Sequence, residues 1–285
     1  MEKACALCGN ISVLENSHII PKFVFKYLKR DSFTGRMRIT AEPNKAVQDG
    51  EKMELLCGAC EDKFQKLETH FSNKVFRPYK LDKITEFKYE ESIIHDFITS
   101  VNWRILYVEL QDIINSPEAM TESGFNNKQL STLYKGEEIM RSYLMEERKD
   151  LYDIENHLFF SDTVVRKIAF DKGLPSLIEG SVHGYIVGSA DRKSLYVLTN
   201  LLGVFIVTIL KKSKKEVWKN TFIKRDSGKI KETQTVKSDL LIEELSYASF
   251  QAEKAKQNLS PIQQQQLIEK IKAKIINSLP GLFIY

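Results

Sequence analysis

Cys5-Ala6-Leu7-Cys8-Gly9, then Ser17-His18-Ile19-Ile20-Pro21-Lys22, then Leu55-Leu56-Cys57-Gly58-Ala59-Cys60-Glu61: the reading of these three stretches decides how the start of the chain folds. They contain all four cysteines of the 285 residues. Two Cys-x-x-Cys pairs are the pattern of one tetrahedral zinc site, because a two-residue spacing makes a tight knuckle whose thiolates converge on a single metal. Gly9 leaves the backbone free to turn away after the first pair. The second pair stands just before Phe64, Leu67, His70, Phe71 and Val75. Those residues follow helical spacing, so Cys57 and Cys60 are expected at a helix N-terminus, where the positive end of the dipole favours thiolates. Disulfides are the alternative. The N-terminal residues lack the basic start and long apolar core of a secretion signal, so a cytoplasmic location is expected, where thiols stay reduced.

Working outward, forty-eight residues (9 to 56) separate the two pairs, more than a zinc ribbon needs. The insertion holds His18. It also holds a basic aromatic run, Lys22-Phe-Val-Phe-Lys-Tyr-Leu-Lys-Arg30, and a polar stretch from Asp31 to Lys52 containing Gly35, Pro43 and Gly50. Between Lys22 and Arg38 six cations (Lys22, Lys26, Lys29, Arg30, Arg36, Arg38) face one acid, Asp31. Such a run holds phosphates without choosing a sequence. Alternatively it is an amphipathic helix with Phe23, Tyr27 and Leu28 inward and its lysines solvated; the two uses are compatible.

A knuckle followed by His-Ile-Ile-Pro and then Leu-Leu-Cys-x-x-Cys resembles the zinc-bearing HNH endonucleases, over about 70 residues. The resemblance implies a treble-clef, ββα-metal module over residues 1–80. It implies a histidine base at the end of the first strand, here His18, and a divalent ion (Mg²⁺ or Mn²⁺) that stabilises the leaving oxygen of a phosphodiester, with DNA as the expected substrate. A neutral imidazole, with its ordinary pKa of about 6.5, accepts a proton at cellular pH. Three positions depart from the family. Ser17 stands where a metal ligand commonly precedes the base, Lys52 where an asparagine is usual, and Glu61 where a His or Asn follows the second pair. Glu61 can still bind a hard cation through oxygen, or simply complement the helix dipole. Asp49 supplies a second carboxylate if the long loop folds back; otherwise Asp49-Gly50 is an ordinary turn. Glu15 is a further candidate, sharing the strand face of His18 only if no bulge intervenes. Glu68 lies two turns along the helix from Glu61, too far to join it simply. With its ligands replaced, the module could instead be catalytically silent, binding nucleic acid or a protein partner, and His18 would then only buttress the zinc fold.

Residues 81–285 are expected to form an α+β domain for substrate, partner or signal recognition. Helical spacing runs from Glu90 to Asp112 and from Asn127 to Leu151. β-rich segments follow at His157–Ile168, Ser181–Val187, Leu195–Leu198, Val204–Leu210 and Val217–Ile223. Two closing helices, Ser238–Lys256 and Pro261–Leu279, either complete the core or build a homodimer interface. His70, His95, His157 and His183 read as structural, and Trp103 and Trp218 as core or cap residues. A second basic run spans Lys211 to Lys231. No P-loop, dinucleotide fingerprint or nucleophile elbow is present. Hydrophobic residues at 42%, charged residues at 28% and a net charge of +4 describe a globular chain that permits nucleic-acid binding without demanding it. No run approaches the ~18 apolar residues of a membrane span. Modules of this kind recur in phage-defence proteins, which the resemblance makes a plausible setting.

Overall fold

Gly9, at φ 74°, turns the chain back on itself after Cys8; its amide donates to Cys5 O, and Cys5 N donates to Asn10 O. That turn joins β1 (Glu2–Ala4) to β2 (Ile11–His18) in the computed structural model, which describes residues 2–32, 35–168, 173–189, 191 and 193–278. Pro21 stops the strand, and α1 (Lys22–Asp31) follows. The long polar stretch then forms a small hairpin, β3 (Met37–Arg38) with β4 (Ala46–Val47), before β5 (Lys52–Cys57) returns antiparallel to β2.

The β2–β5 ladder is irregular between Glu15 and Asn16: Glu15 faces Leu56 and Asn16 faces Glu54, so Leu55 has no partner across the ladder. A bulge of this kind puts two successive residues on the core side. Leu55 and Leu56 are both buried, and the freed Leu55 carbonyl accepts Ala6 N–H from the knuckle. Cys57 caps α2 (Gly58–Phe71). The helix does not stop before Pro78. A π-helical turn at Ser72–Phe76 carries it into α3 (Arg77–Asp82), where Pro78 lies in the first turn and its missing N–H is no loss.

After β6 (Phe87–Tyr89), α4 (Ile93–Asn115) is the long central helix, with fifteen of its residues buried, Ser92 at its N-cap. Next come α5 (Pro117–Ser123) and α6 (Asn127–Leu144), the latter held by a full capping box of Asn126 and Gln129. The helix expected to reach Leu151 ends at Leu144, because Glu146 takes φ 62° and leads the chain away. The expected strand over 157–168 is likewise shorter: β7 (Glu155–Phe160) gives way to a turn and to α7 (Val165–Ile168). The remaining elements are α8 (Leu174–Glu179), β8 (Val182–Gly188), β9 (Leu195–Leu201), β10 (Val204–Lys211), β11 (Val217–Lys219), β12 (Gly228–Ile230), β13 (Thr235–Lys237), α9 (Asp239–Gln257) and α10 (Pro261–Ser278). The strand expected over 217–223 is confined to β11, which pairs with β13, while Phe222 forms a lone bridge to His157. Leu279, the expected end of the last helix, lies outside the described residues.

The chain is thus mixed α and β, with a four-cysteine cluster near its start. Its main sheet is antiparallel in the order β7-β10-β9-β8. Leu202 and Gly203, both at positive φ, make the two-residue turn between β9 and β10 whose twist suits a hairpin. Alternate residues feed two cores. Leu158, Phe160, Val197, Val204 and Ile206 face α4 in a cluster that continues through Phe97, Val101 and Trp103 to Phe64, Leu56 and Leu7 of the cysteine segment. Phe159, Tyr196, Leu198, Phe205 and Val207 face Leu174 and Ile178 of α8 and Leu240, Leu241 and Leu245 of α9. The outer side of α9 leaves Ile242, Tyr247 and Phe250 exposed. Among the described residues no helix is long and apolar enough to cross a membrane.

Candidate metal centre and the histidine beside it

The hairpin knuckle and the start of α2 bring the ligand atoms of Cys5, Cys8, Cys57 and Cys60 within 4.8 Å of one another. All four are free thiols. Cys8 Sγ and Cys57 Sγ stand 3.8 Å apart. A disulfide needs about 2.05 Å, whereas a tetrahedral zinc with bonds of about 2.3 Å sets its sulfurs about 3.8 Å apart. Cys57 N–H donates to Cys5 Sγ at 3.3 Å. Burial works against ionisation of Cys5, yet backbone hydrogen bonds around Cys8, Cys57 and Leu7 outweigh it and bring the thiol down to about 7. Burial and the neighbouring thiols push Cys60 the other way. Four thiolates crowded this closely repel one another unless a cation sits among them, so this donor set fits zinc.

His18 ends β2, with its side chain 13% exposed. The polar loop does fold back. His18 Nε2 lies 3.0 Å from Asp49 Oδ1, and the other carboxylate oxygen of Asp49 lies 2.6 Å from Lys52 Nζ. Gly50 N–H also donates to Asp49 Oδ1 at 3.0 Å, so the Asp-Gly turn and the histidine contact coexist. Partial burial pushes the Asp49 carboxyl upward, but Lys52 and His18 outweigh it and hold it well below the usual carboxylate range. An ionised Asp49 holding Nε2–H fixes the imidazole tautomer and leaves Nδ1 as the nitrogen that can take a proton. Phe25 of α1 stacks beside the imidazole at 6.3 Å.

The backbone of His18 is held from the other side. Arg104, 1% exposed, donates Nη1–H to His18 O at 2.8 Å and Nη2–H to Glu68 Oε1 at 2.9 Å, and its guanidinium lies over Phe64. Glu68 therefore joins the surroundings of His18 through Arg104 and not through Glu61. No family model, curated protein or solved structure matches this chain. What the site can do rests on its geometry.

The other expected residues are dispersed. Glu61, in the first turn of α2, forms no hydrogen bond or ion pair among the described residues. Glu15 is exposed and lies by Gly58 at the start of α2, on the far side of the bulge from His18. Lys22 and Lys26 are exposed on α1. Lys29 donates to Gln48 O, and Arg30 lies over Tyr27. Arg38 is spent on Pro43 O and on Gln263 at the start of α10, so it ties the loop to the last helix. Arg36 is exposed and has partners of its own. His95 and His157 are buried and His70 is half-buried; His157 is clamped between Thr221 and Glu155. Arg104 escaped the sequence reading, although the signal was there: an arginine inside the apolar run Val101–Leu110 needs a buried partner.

Proposed function

We propose that this protein is a phosphodiester-cleaving nuclease of the HNH kind, with DNA as its substrate. Residues 1–80 would form a zinc-stapled, treble-clef ββα-metal module and residues 81–285 the part that recognises substrate, partner or signal. The observation that supports this best is the grip on His18: a carboxylate on its ring, an arginine on its carbonyl, and the exposed lysines of α1 following directly in the chain. In this reading His18 Nδ1 takes a proton from water as the water oxygen bonds to phosphorus. The bond to the leaving oxygen breaks, and that oxygen gains its proton from solvent. Asp49 orients the imidazole and stabilises it once protonated. Lys22 and Lys26 hold flanking phosphates. Zinc, held by Cys5, Cys8, Cys57 and Cys60, fixes the hairpin to α2.

The resemblance also brings a divalent ion, with Asp49 and Glu61 as its candidate donors. Asp49 already carries Lys52 at 2.6 Å, and the four cysteines are the one group of possible ligands that converges among the described residues. No step is therefore routed through such an ion. The Asp49–Lys52 pair favours a second reading, a catalytically silent zinc module that binds nucleic acid or a protein partner.

Cleavage of supercoiled plasmid separates the two readings, run with Mg²⁺, with Mn²⁺ and with chelator, by zinc-loaded wild type and His18→Ala. Loss of a general base slows cutting by about 100-fold or more. Wild type that never cuts but shifts DNA in a gel would establish the silent module.

A further inference from the structure

A cavity of about 290 Å³ lies away from His18 between α2, the start of α4, the end of α6 and the segment around Arg225. Four cations (Lys63, Arg148, Lys149, Arg225) and two acids (Asp96, Glu146) line it. The acids are satisfied. Glu146 pairs with Lys63 at 2.7 Å. Asp96 accepts from Ser92 Oγ at 2.7 Å and from Tyr143 OH at 2.5 Å.

Most of the cations are not. Arg148 and Lys149 form no ion pair among the described residues, and Arg148 Nε is buried with no hydrogen-bond partner. The guanidinium of Arg148 is held in place by stacking 4.1 Å over Tyr152. Arg225 pairs only with Asp226, at 4.0 Å and on the surface, and its guanidinium lies 6.0 Å over the Tyr143 ring in the cavity wall. Buried donors are nearly always satisfied, so an orphan guanidinium N–H at a cavity wall marks a missing acceptor. The start of α4 points the same way. Ser92 gives its hydroxyl to Asp96 and caps no backbone amide, so the first-turn N–H groups of this 23-residue helix lack a side-chain cap. A helix N-terminus beside fixed guanidinium groups favours a tetrahedral oxyanion.

We propose that this cavity binds a small phosphorylated molecule, its phosphate held by Arg148, Lys149 and Arg225 at the N-terminus of α4. The volume lies at the lower end of small-molecule sites and suits a compact ligand over a polymer strand. Lys63 and Leu67 of α2 form one wall, so the ligand would rest against the helix that carries Cys60. The inference stands whether or not the His18 site cuts DNA.

Calorimetric titration of the zinc-loaded chain with inorganic phosphate, pyrophosphate and adenosine monophosphate tests it. One-to-one saturable binding of at least one probe is expected. Arg225→Ala and Lys149→Ala should each weaken it about tenfold, the scale of one lost charge-assisted hydrogen bond. Lys254→Ala, at an exposed position of α9, should leave it unchanged. Lys149 is itself exposed, so its replacement spares the fold. Three results would overturn the proposal: no saturable binding of any probe, equal binding by all variants, or variants that bind the probes normally while losing affinity for a short single-stranded oligonucleotide.

Discussion

The cysteine segment and the four-stranded sheet solve the same problem with different means. Between Glu2 and Phe71 the chain has short strands, a loop of more than ten polar residues, and outward apolar residues such as Ile11 and Val13 that are two-thirds exposed. Four sulfurs supply the convergence that its thin core does not. In the sheet, all seven residues of β9 and six of the eight in β10 are buried, and helices cover both faces. If the four cysteines hold zinc, as we propose, metal affinity should decide the order of the first region, whereas apolar burial decides that of the second. The two meet at α4, so a perturbation of either can be followed into the other.

The strongest way to break the comparison is to remove the metal. Structural zinc sites contribute on the order of 10 kcal/mol to folding. Stripping zinc with a strong chelator should raise amide exchange in β1, β2, β5 and the first turns of α2 by orders of magnitude, while β9 and β10 stay protected. If the sheet loses protection in step with the hairpin, the regions form one cooperative unit and the contrast is wrong.

Arg104 probes the seam. Arg104→Leu leaves the Glu68 carboxylate and His18 O without their donor, a loss of about 3–5 kcal/mol for a broken buried pair. Urea denaturation measures it, and adding Glu68→Gln should recover part of the loss. A change below about 1 kcal/mol would mean that the pair behaves as a surface ion pair.

Glu109 sharpens the sheet side. Burial pushes its carboxyl up to about 7, although Ile186 N–H donates to it. The sign follows from linkage. A carboxyl whose folded pKa is raised adds most stability below its unfolded value of about 4.3, loses it as pH rises toward 7, and changes little beyond. Glu109→Gln keeps an acceptor for Ile186 and removes the titration. The variant should gain on wild type between about pH 4.5 and 7, by at most about 3 kcal/mol. A pH-independent difference would show that this carboxyl titrates normally.

The same contrast explains what could be read from the sequence. The four-cysteine cluster was legible because two Cys-x-x-Cys pairs leave few alternatives, and β9 and β10 because the run Leu195–Leu210 is apolar on both strand faces with a turn at Leu202-Gly203. Asp49 was legible only as a condition, since the folded-back loop packs Gly50 against Phe25, far from it in sequence. Arg104 and Glu68 were missed as a pair because their contact joins α2 to α4 across residues no local pattern connects. The end of α6 at Leu144 was hidden too: no Pro or Gly marks it, and the left-handed turn falls on Glu146, which binds Lys63.

The smallest expected effect tests the loop itself. A Cβ at Gly50 would lie 2.1 Å from the Phe25 ring, so Gly50→Ala must move either the ring or the loop. Overpacking of this kind costs about 1–3 kcal/mol. Because Gly50 is next to Asp49, the shift should also loosen the Asp49–His18 contact, and the imidazole ¹⁵N chemical shifts of His18, which report that hydrogen bond, should change while metal content stays constant. If stability falls but the His18 imidazole shifts do not change, Phe25 absorbs the strain and the loop holds Asp49 by its own hydrogen bonds. If both change together, Phe25 and Gly50 form the device that sets a carboxylate against the imidazole, apart from the four cysteines proposed to hold the metal.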